Sequence, residues 1–182
     1  MRVPPGMLSD NLGLRISIER SVAAGGYSRL AAASGFTRFR RVVHLVVNAQ
    51  TESRRDWIRL PEPPGTLDTL VSASTVTLNR YNFETVELLR LGLERDLVEL
   101  REARCRRPEL AAADCGDVAA HLIEVSFAGH PDPAERAYLS ALPTALRLGE
   151  EEVERTVAAA GRILAASPEF QALLADLASL SP

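Results

Sequence analysis

The densest hydrophobic run in the chain is Val42-Val43-His44-Leu45-Val46-Val47, almost unbroken and rich in β-branched residues. A run without alternation predicts a strand covered on both faces, as in a parallel sheet inside an α/β sandwich. His44 then lies mid-strand, as a core histidine held by one partner rather than a catalytic one. The run ends at Asn48-Ala49-Gln50, the carboxyl edge at which such sheets place ligands. A second strand is predicted over His121–Phe127. Ile123, Val125 and Phe127 share one face, while Leu122, Glu124 and Ser126 make the other partly polar, so this strand sits nearer an edge or a cleft.

The rest of the pattern has helical period. Leu14, Ile18 and Val22 mark one face of a helix that Asp10 can cap and Gly25-Gly26 can end. Tyr27 to Phe39 has no clear period and reads as a connection with a short helix over Leu30–Ala33. Thr66 can cap a helix with Leu67, Leu70, Val71, Ser74 and Leu78 on one face. Asn79-Arg80-Tyr81-Asn82 interrupts it, as a surface kink or as the lining of a cleft, and the period resumes at Val86, Leu89, Leu93, Leu97 and Leu100. One long bent helix or two helices fit, and either supplies the crossover that a parallel pair requires. Beyond the second strand, Pro133 starts a short helix over Ala134–Ala141. Glu150–Ala165 turns Val153, Val157, Ala160 and Leu164 inward, with three glutamates in its first turn. Ser167-Pro168 caps and starts a last helix whose stripe is Phe170, Leu173, Leu177 and Leu180. Residues 1–9, with Pro4 beside Pro5, are irregular. The whole of 1–182 reads as one partial α/β domain, a mostly parallel sheet remnant with a helical C-terminus.

Composition narrows the chemistry. The chain is 46% hydrophobic and 25% charged, as in a soluble globular protein, and its net charge of −3 argues against a nucleic-acid partner. All 21 basic residues are arginine, but their scatter fits compositional bias better than phosphate recognition. No apolar run reaches the roughly 18 residues of a spanning helix, and the start is not a signal peptide, so the expected location is the cytoplasm. Cys105 and Cys115 flank Arg106-Arg107-Pro108; a disulfide across this loop and two ordinary thiols both fit, whereas a metal pair would need a second ligand close by. Trp57 lies in a loop over 51–65 and reads as an aromatic packed over the helix layer or as a lid. His44, His121 and His130 have no metal-ligand spacing, and the chain holds no Gly-x-Ser-x-Gly, phosphate loop, His-Glu-x-x-His or Cys-x-x-Cys. No cofactor and no metal is therefore expected.

Leu8-Ser9-Asp10-Asn11-Leu12-Gly13-Leu14-Arg15 resembles the stretch that follows the catalytic aspartate of bacterial patatin-like phospholipases. Val46-Val47-Asn48-Ala49-Gln50, Asp56-Trp57, Pro63-Pro64-Gly65, Arg80-Tyr81-Asn82-Phe83-Glu84-Thr85, Leu122–Phe127, Tyr138–Thr144 and Ser167–Phe170 follow in that family's order. The resemblance covers the chain from Leu8 onward. It implies a three-layer α/β/α domain in which a Ser-Asp dyad hydrolyses acyl esters of lipids. The family's serine elbow and glycine-rich oxyanion stretch would fall ahead of Met1. Its Asp-Gly-Gly/Ala motif falls at Pro5, Gly6 and Met7, and proline carries no carboxylate. Asp10, Asn11, Gly13 and Arg15 are then structural positions of the motif, with Asp10 its second, non-catalytic aspartate. The resemblance thus implies the C-terminal portion of a lipid acyl hydrolase, inactive by itself. A lipid or acyl ester is the substrate of the full-length family, an upstream half or an oligomer the partner, and membrane contact comes only through the missing N-terminal part of a membrane-associated or exported parent. The alternatives are a non-enzymatic protein-interaction domain and half of a split hydrolase.

Overall fold

The computed structural model describes residues 12–36, 39–51, 65–107, 115–143 and 147–180. Along the chain it has helices α1 (Leu14–Ala24) and α2 (Tyr27–Ala33), strand β1 (Arg41–Asn48), helix α3 (Thr66–Cys105) and strand β2 (Ala119–Ser126). A 3-10 turn, Phe127–Gly129, precedes helices α4 (Pro133–Ser140), α5 (Glu150–Ala166) and α6 (Pro168–Ser179). Helix and strand are thus mixed, β1 and β2 pair in parallel, and the C-terminal part is helical. The contacts divide into two compact units, 1–44 with 81–122 and 45–80 with 123–182.

In the first unit, α1 begins at Leu14 behind Gly13, whose φ of +67° suits glycine, and no side chain caps it. Asp10, expected as the cap, lies outside the described residues and too far ahead of Leu14 for that position. Gly25, at φ +77°, ends the helix with its N–H on Ser21 and Val22 carbonyls. The expected inward face is corrected by one position: Ser21 is buried and Val22 exposed, because Ser21 Oγ donates to the buried Asp96 at 3.1 Å. The short helix predicted over Leu30–Ala33 starts three residues earlier, at Tyr27.

Three arginines and a carboxylate brace the amino ends of the strands. Arg40 and Arg41 both meet Asp117, Arg41 at 2.8 Å. Their hydrogen bonds, Arg41's first, hold the Asp117 carboxyl below its usual range. Arg101 donates twice to the Val118 carbonyl, at 3.2 and 3.0 Å, and the Ala119 N–H bonds the Arg40 carbonyl at 3.0 Å. Cys105 and Cys115, for which disulfide and thiols were both open, are joined, closing a ten-residue separation at the end of α3.

β1 corrects the expectation of a strand covered on both faces. Val42, Val46 and Asn48 are buried, but Val43, Leu45 and Val47 are 45%, 55% and 64% exposed. The sheet of the described residues has two strands, and that side of β1 stays partly open, with Val43 lining a groove beside Tyr27, Leu30 and Phe36. β2 keeps its expected polarity, with Ile123 and Val125 buried and Phe127 buried in the turn that follows. α3 settles the choice between one helix and two: it runs 40 residues without a break, and Asn82, expected in an interruption, is buried within it. Thr66 is its first residue rather than its cap; the Gly65 carbonyl takes the Thr69 N–H and hydroxyl, each at 3.0 Å.

The second unit has an apolar cluster of Val125, Phe127, Leu139, Leu142, Ala159 and Ile163. Asp132 caps α4 by accepting the Ala134 N–H at 2.8 Å, and Ser167 caps α6 by accepting that of Phe170 at 3.2 Å, as its sequence predicts. α5 is rotated from the expected face. Ala159 and Ile163 are buried, and Val153 and Val157 face solvent. The turn is set by Arg155, which pairs with Glu135 at 2.9 Å and lies 3.3 Å over the Tyr138 ring. In α6, Leu173 is buried while Leu177 is exposed. Among the described residues no helix is long and apolar enough to cross a membrane.

Two stability outcomes follow from this packing. Leu139 is wholly buried, so Leu139→Ala is expected to cost about 2–5 kcal/mol in chemical denaturation. Cys105→Ser with Cys115→Ser, or reduction, is expected to lower unfolding stability by about 2–3 kcal/mol, since the closed loop is short; equal denaturation midpoints with and without dithiothreitol would refute it.

Candidate functional site

The positions carried by the family resemblance divide sharply. Pro5, Asp10 and Asn11 lie outside the described residues, as does Trp57. Gly13 is the left-handed entry to α1. Arg15 is a tie between α1 and α3: it hydrogen-bonds the Tyr81 hydroxyl, lies 5.1 Å from that ring's centre, and pairs with Glu19 at 3.7 Å.

Polar side chains converge instead under α1, in a small cleft of the first unit lined by Ser17, Ser21, Tyr27, His44 and Asp96 among apolar neighbours. Helical spacing on α1 places Ser17 and Ser21 one above the other, and α3 brings Asp96 opposite. The sequence reading found His44 alone. Ser21, Tyr27 and Asp96 carry no motif, and their only signal was polarity at positions that the helical period turns inward.

Tyr27 Oη and His44 Nε2 share a hydrogen bond at 3.4 Å, its direction set by the imidazole tautomer, the rings meeting edge to face with centres 6.1 Å apart. Burial lowers the His44 pKa. Burial first, and the Asp96 charge second, raise that of Tyr27. Both groups are therefore neutral at neutral pH, and the pair can hold a proton between them without forming an ion. Asp96 is buried yet compensated by Ser21 and by Arg95 at 3.0 Å.

Ser21 and Asp96 form a hydroxyl–carboxylate pair, but its setting is wrong for acyl transfer. Ser21 occupies the last turn of α1, where the helix dipole opposes an oxyanion rather than stabilising one. The cleft measures about 30 Å³, room for roughly one or two waters. A wider groove of about 500 Å³ adjoins Tyr27 and is lined by Leu30, Phe36, Phe39, Val42 and Val43 together with Ser34 and Arg41, a size that suits a small, mainly apolar ligand with a polar end.

In the second unit, Asn48 Nδ2 donates to Glu124 Oε1 at 3.2 Å near the carboxyl ends of both strands, and the buried Asn48 Oδ1 has no hydrogen-bond partner. The wholly buried His130 accepts the Asp132 N–H on Nδ1 at 3.1 Å, fixing the turn into α4. His44 and His130 thus belong to different units. Among the described residues no group of three His, Cys, Asp or Glu side chains could hold a metal ion. No family model, curated protein or solved structure matches the chain.

The Tyr27–His44 pair makes stability depend on pH in two directions. Below about pH 6.5 the unfolded chain takes up a proton that half-buried His44 resists, so stability falls as pH drops. Above about pH 10 an unfolded tyrosine ionises before Tyr27 does, so stability falls as pH rises. His44→Phe should flatten the acid side of a Tm–pH series and Tyr27→Phe the alkaline side. Parallel curves for wild type and both variants would contradict the assignment.

Proposed function

We propose that the chain is the C-terminal portion of a patatin-like lipid acyl hydrolase, with the helices of a three-layer α/β/α domain and part of its sheet. The observation that carries the reading is the order of elements: a helix entered through Gly13, a parallel strand pair joined by a long crossover helix, and a helical tail. The segments that resemble the family occur in that same order along the sequence. The open face of β1 supports it too, since Val43, Leu45 and Val47 would be covered by a further layer in a complete sandwich. The apolar groove beside Tyr27 has the volume and lining for part of an acyl chain.

In this reading the nucleophile elbow, the oxyanion donors and the catalytic aspartate are supplied by a segment other than these 182 residues. Proline at position 5 cannot accept a proton from serine, and without nucleophile, base or oxyanion hole no covalent route to hydrolysis remains. The same open β1 face favours a second reading, a domain that binds a protein partner without catalysis.

The purified chain is expected to release no p-nitrophenol from acyl esters above background. Joined to an upstream reading frame that encodes Gly-x-Ser-x-Gly and Asp-Gly-Gly, it should hydrolyse them, and replacing that serine should abolish the activity. Esterase turnover by the 182 residues alone would sink the inactive-portion reading. An upstream sequence without such a frame would leave the partner-binding domain.

A further inference from the structure

Within its Tyr81–Cys105 part, α3 has two apolar faces. One is the buried face of Val86, Leu89, Leu93 and Leu100. On the opposite side Leu88, Leu91 and Val98 are 54%, 62% and 56% exposed. Together with Tyr81, Glu84 and Arg95 they occupy positions 81, 84, 88, 91, 95 and 98. These steps alternate three and four residues, the spacing of a coiled-coil seam. Val22 of α1, also exposed, lines the same cleft as Leu88 and Arg95 and widens the strip. A seam of this kind, apolar and exposed at Leu88, Leu91 and Val98, charged at Glu84 and Arg95, and half-covered only at Tyr81 by Arg15, is a surface on which a second helix packs.

We propose that this seam is the interface of an antiparallel homodimer, and the argument for a second copy is its self-complementarity. Rotating the helix by a two-fold axis midway between Leu88 and Leu91 sets Leu88 against Leu91 of the second copy, twice. The same operation sets Glu84 against Arg95 of the second copy and Tyr81 against Val98, again twice each. Leucine therefore meets leucine at the centre, opposite charges meet one turn out, and an aromatic ring covers valine beyond them. A parallel pairing would stack Glu84 on Glu84 and Arg95 on Arg95, so the charges specify direction as well as partner. The Arg95 side chain is 70% exposed and holds Asp96 through Nε and Nη2, so the contact with the second copy falls to Nη1 and leaves the Asp96 pair in place. A two-fold contact uses one patch on both copies, as closed homodimers do. This dimer does not rest on the hydrolase reading.

Sedimentation of the full 182-residue chain tests it. The wild type is expected to be a dimer at micromolar concentration. Leu91 sits on the seam and outside the buried core, so Leu91→Glu should keep the circular-dichroism spectrum and melting temperature of the fold. It should also raise the dimer dissociation constant by at least about thirtyfold, as loss of a central anchor does. Glu84→Arg and Arg95→Glu should each give monomers, because each homodimer then carries two like-charged pairs. Mixed one to one they should form a heterodimer in which both pairs are again complementary. A wild type that stays monomeric up to about 200 µM, far above the range of a specific interface, would overturn the proposal. So would a dimer indifferent to folded Leu91→Glu, or folded single reversals that remain monomeric when mixed. If Arg95→Glu fails to fold because of Asp96, Leu91→Glu decides alone. Loss of hydrolysis in a rejoined protein would leave all of these outcomes unchanged.

Discussion

Two parallel strands cannot be closed by a turn; the chain must travel back the length of the first strand before the second begins. In this protein α3 makes that return, and the structure of the first unit is organised around fastening its end. Arg101 and Arg104 on α3 hold the Val118 and Phe39 carbonyls, just ahead of β2 and β1. Arg40 and Arg41 share Asp117, and the Cys105–Cys115 bond shortens the last stretch of the crossover. With arginine as the only strong cation in the chain, this work falls to guanidinium forks. They can bridge carbonyls and a carboxylate at once in a way that an ammonium cannot.

How much of this was legible depended on how local the cause was. Helix caps are decided within four residues, and Ser167-Pro168 at α6 and Pro133 at α4 were readable directly. The one-sided burial of β2 was also written in its alternation. β1 misled because an unbroken apolar run records what the strand can tolerate, not what lies over it, and Val43, Leu45 and Val47 are exposed. The exchange of Val22 for Ser21 on the inner face of α1 and the rotation of α5 were hidden for another reason: each goes with a contact to a residue distant in sequence, Ser21 with Asp96 and Arg155 with Glu135 and Tyr138. The cleft was half visible. His44 stood out by residue type, whereas Tyr27 and Asp96 acquire meaning only once α2 and α3 are placed.

The polar cleft and the apolar surfaces have opposite characters. Ser21 meets the buried Asp96, and Tyr27 meets the half-buried His44, in a space too small for a substrate; the first pair ties α1 to α3 and the second ties α2 to β1. The wide groove beside Tyr27, the face of β1 and the outer seam of α3 are open and mainly apolar, with Arg41 in the groove and Glu84 and Arg95 in the seam. Apolar surface of this extent marks a place where something else packs.

The topology also has a consequence in time. β1 begins at Arg41 and β2 at Ala119, 78 residues later by subtraction. At the usual pace of synthesis, about 5–20 residues per second, the first strand leaves the ribosome roughly 4–16 seconds before its hydrogen-bonding partner exists. Through that interval β1 is an apolar edge without a neighbour, the kind of segment that recruits strands from other chains. α3, whose backbone hydrogen bonds are local, can form while β1 waits. Nascent chains of this protein should therefore engage chaperones over the stretch between β1 and β2, and release them once Ala119–Ser126 has emerged.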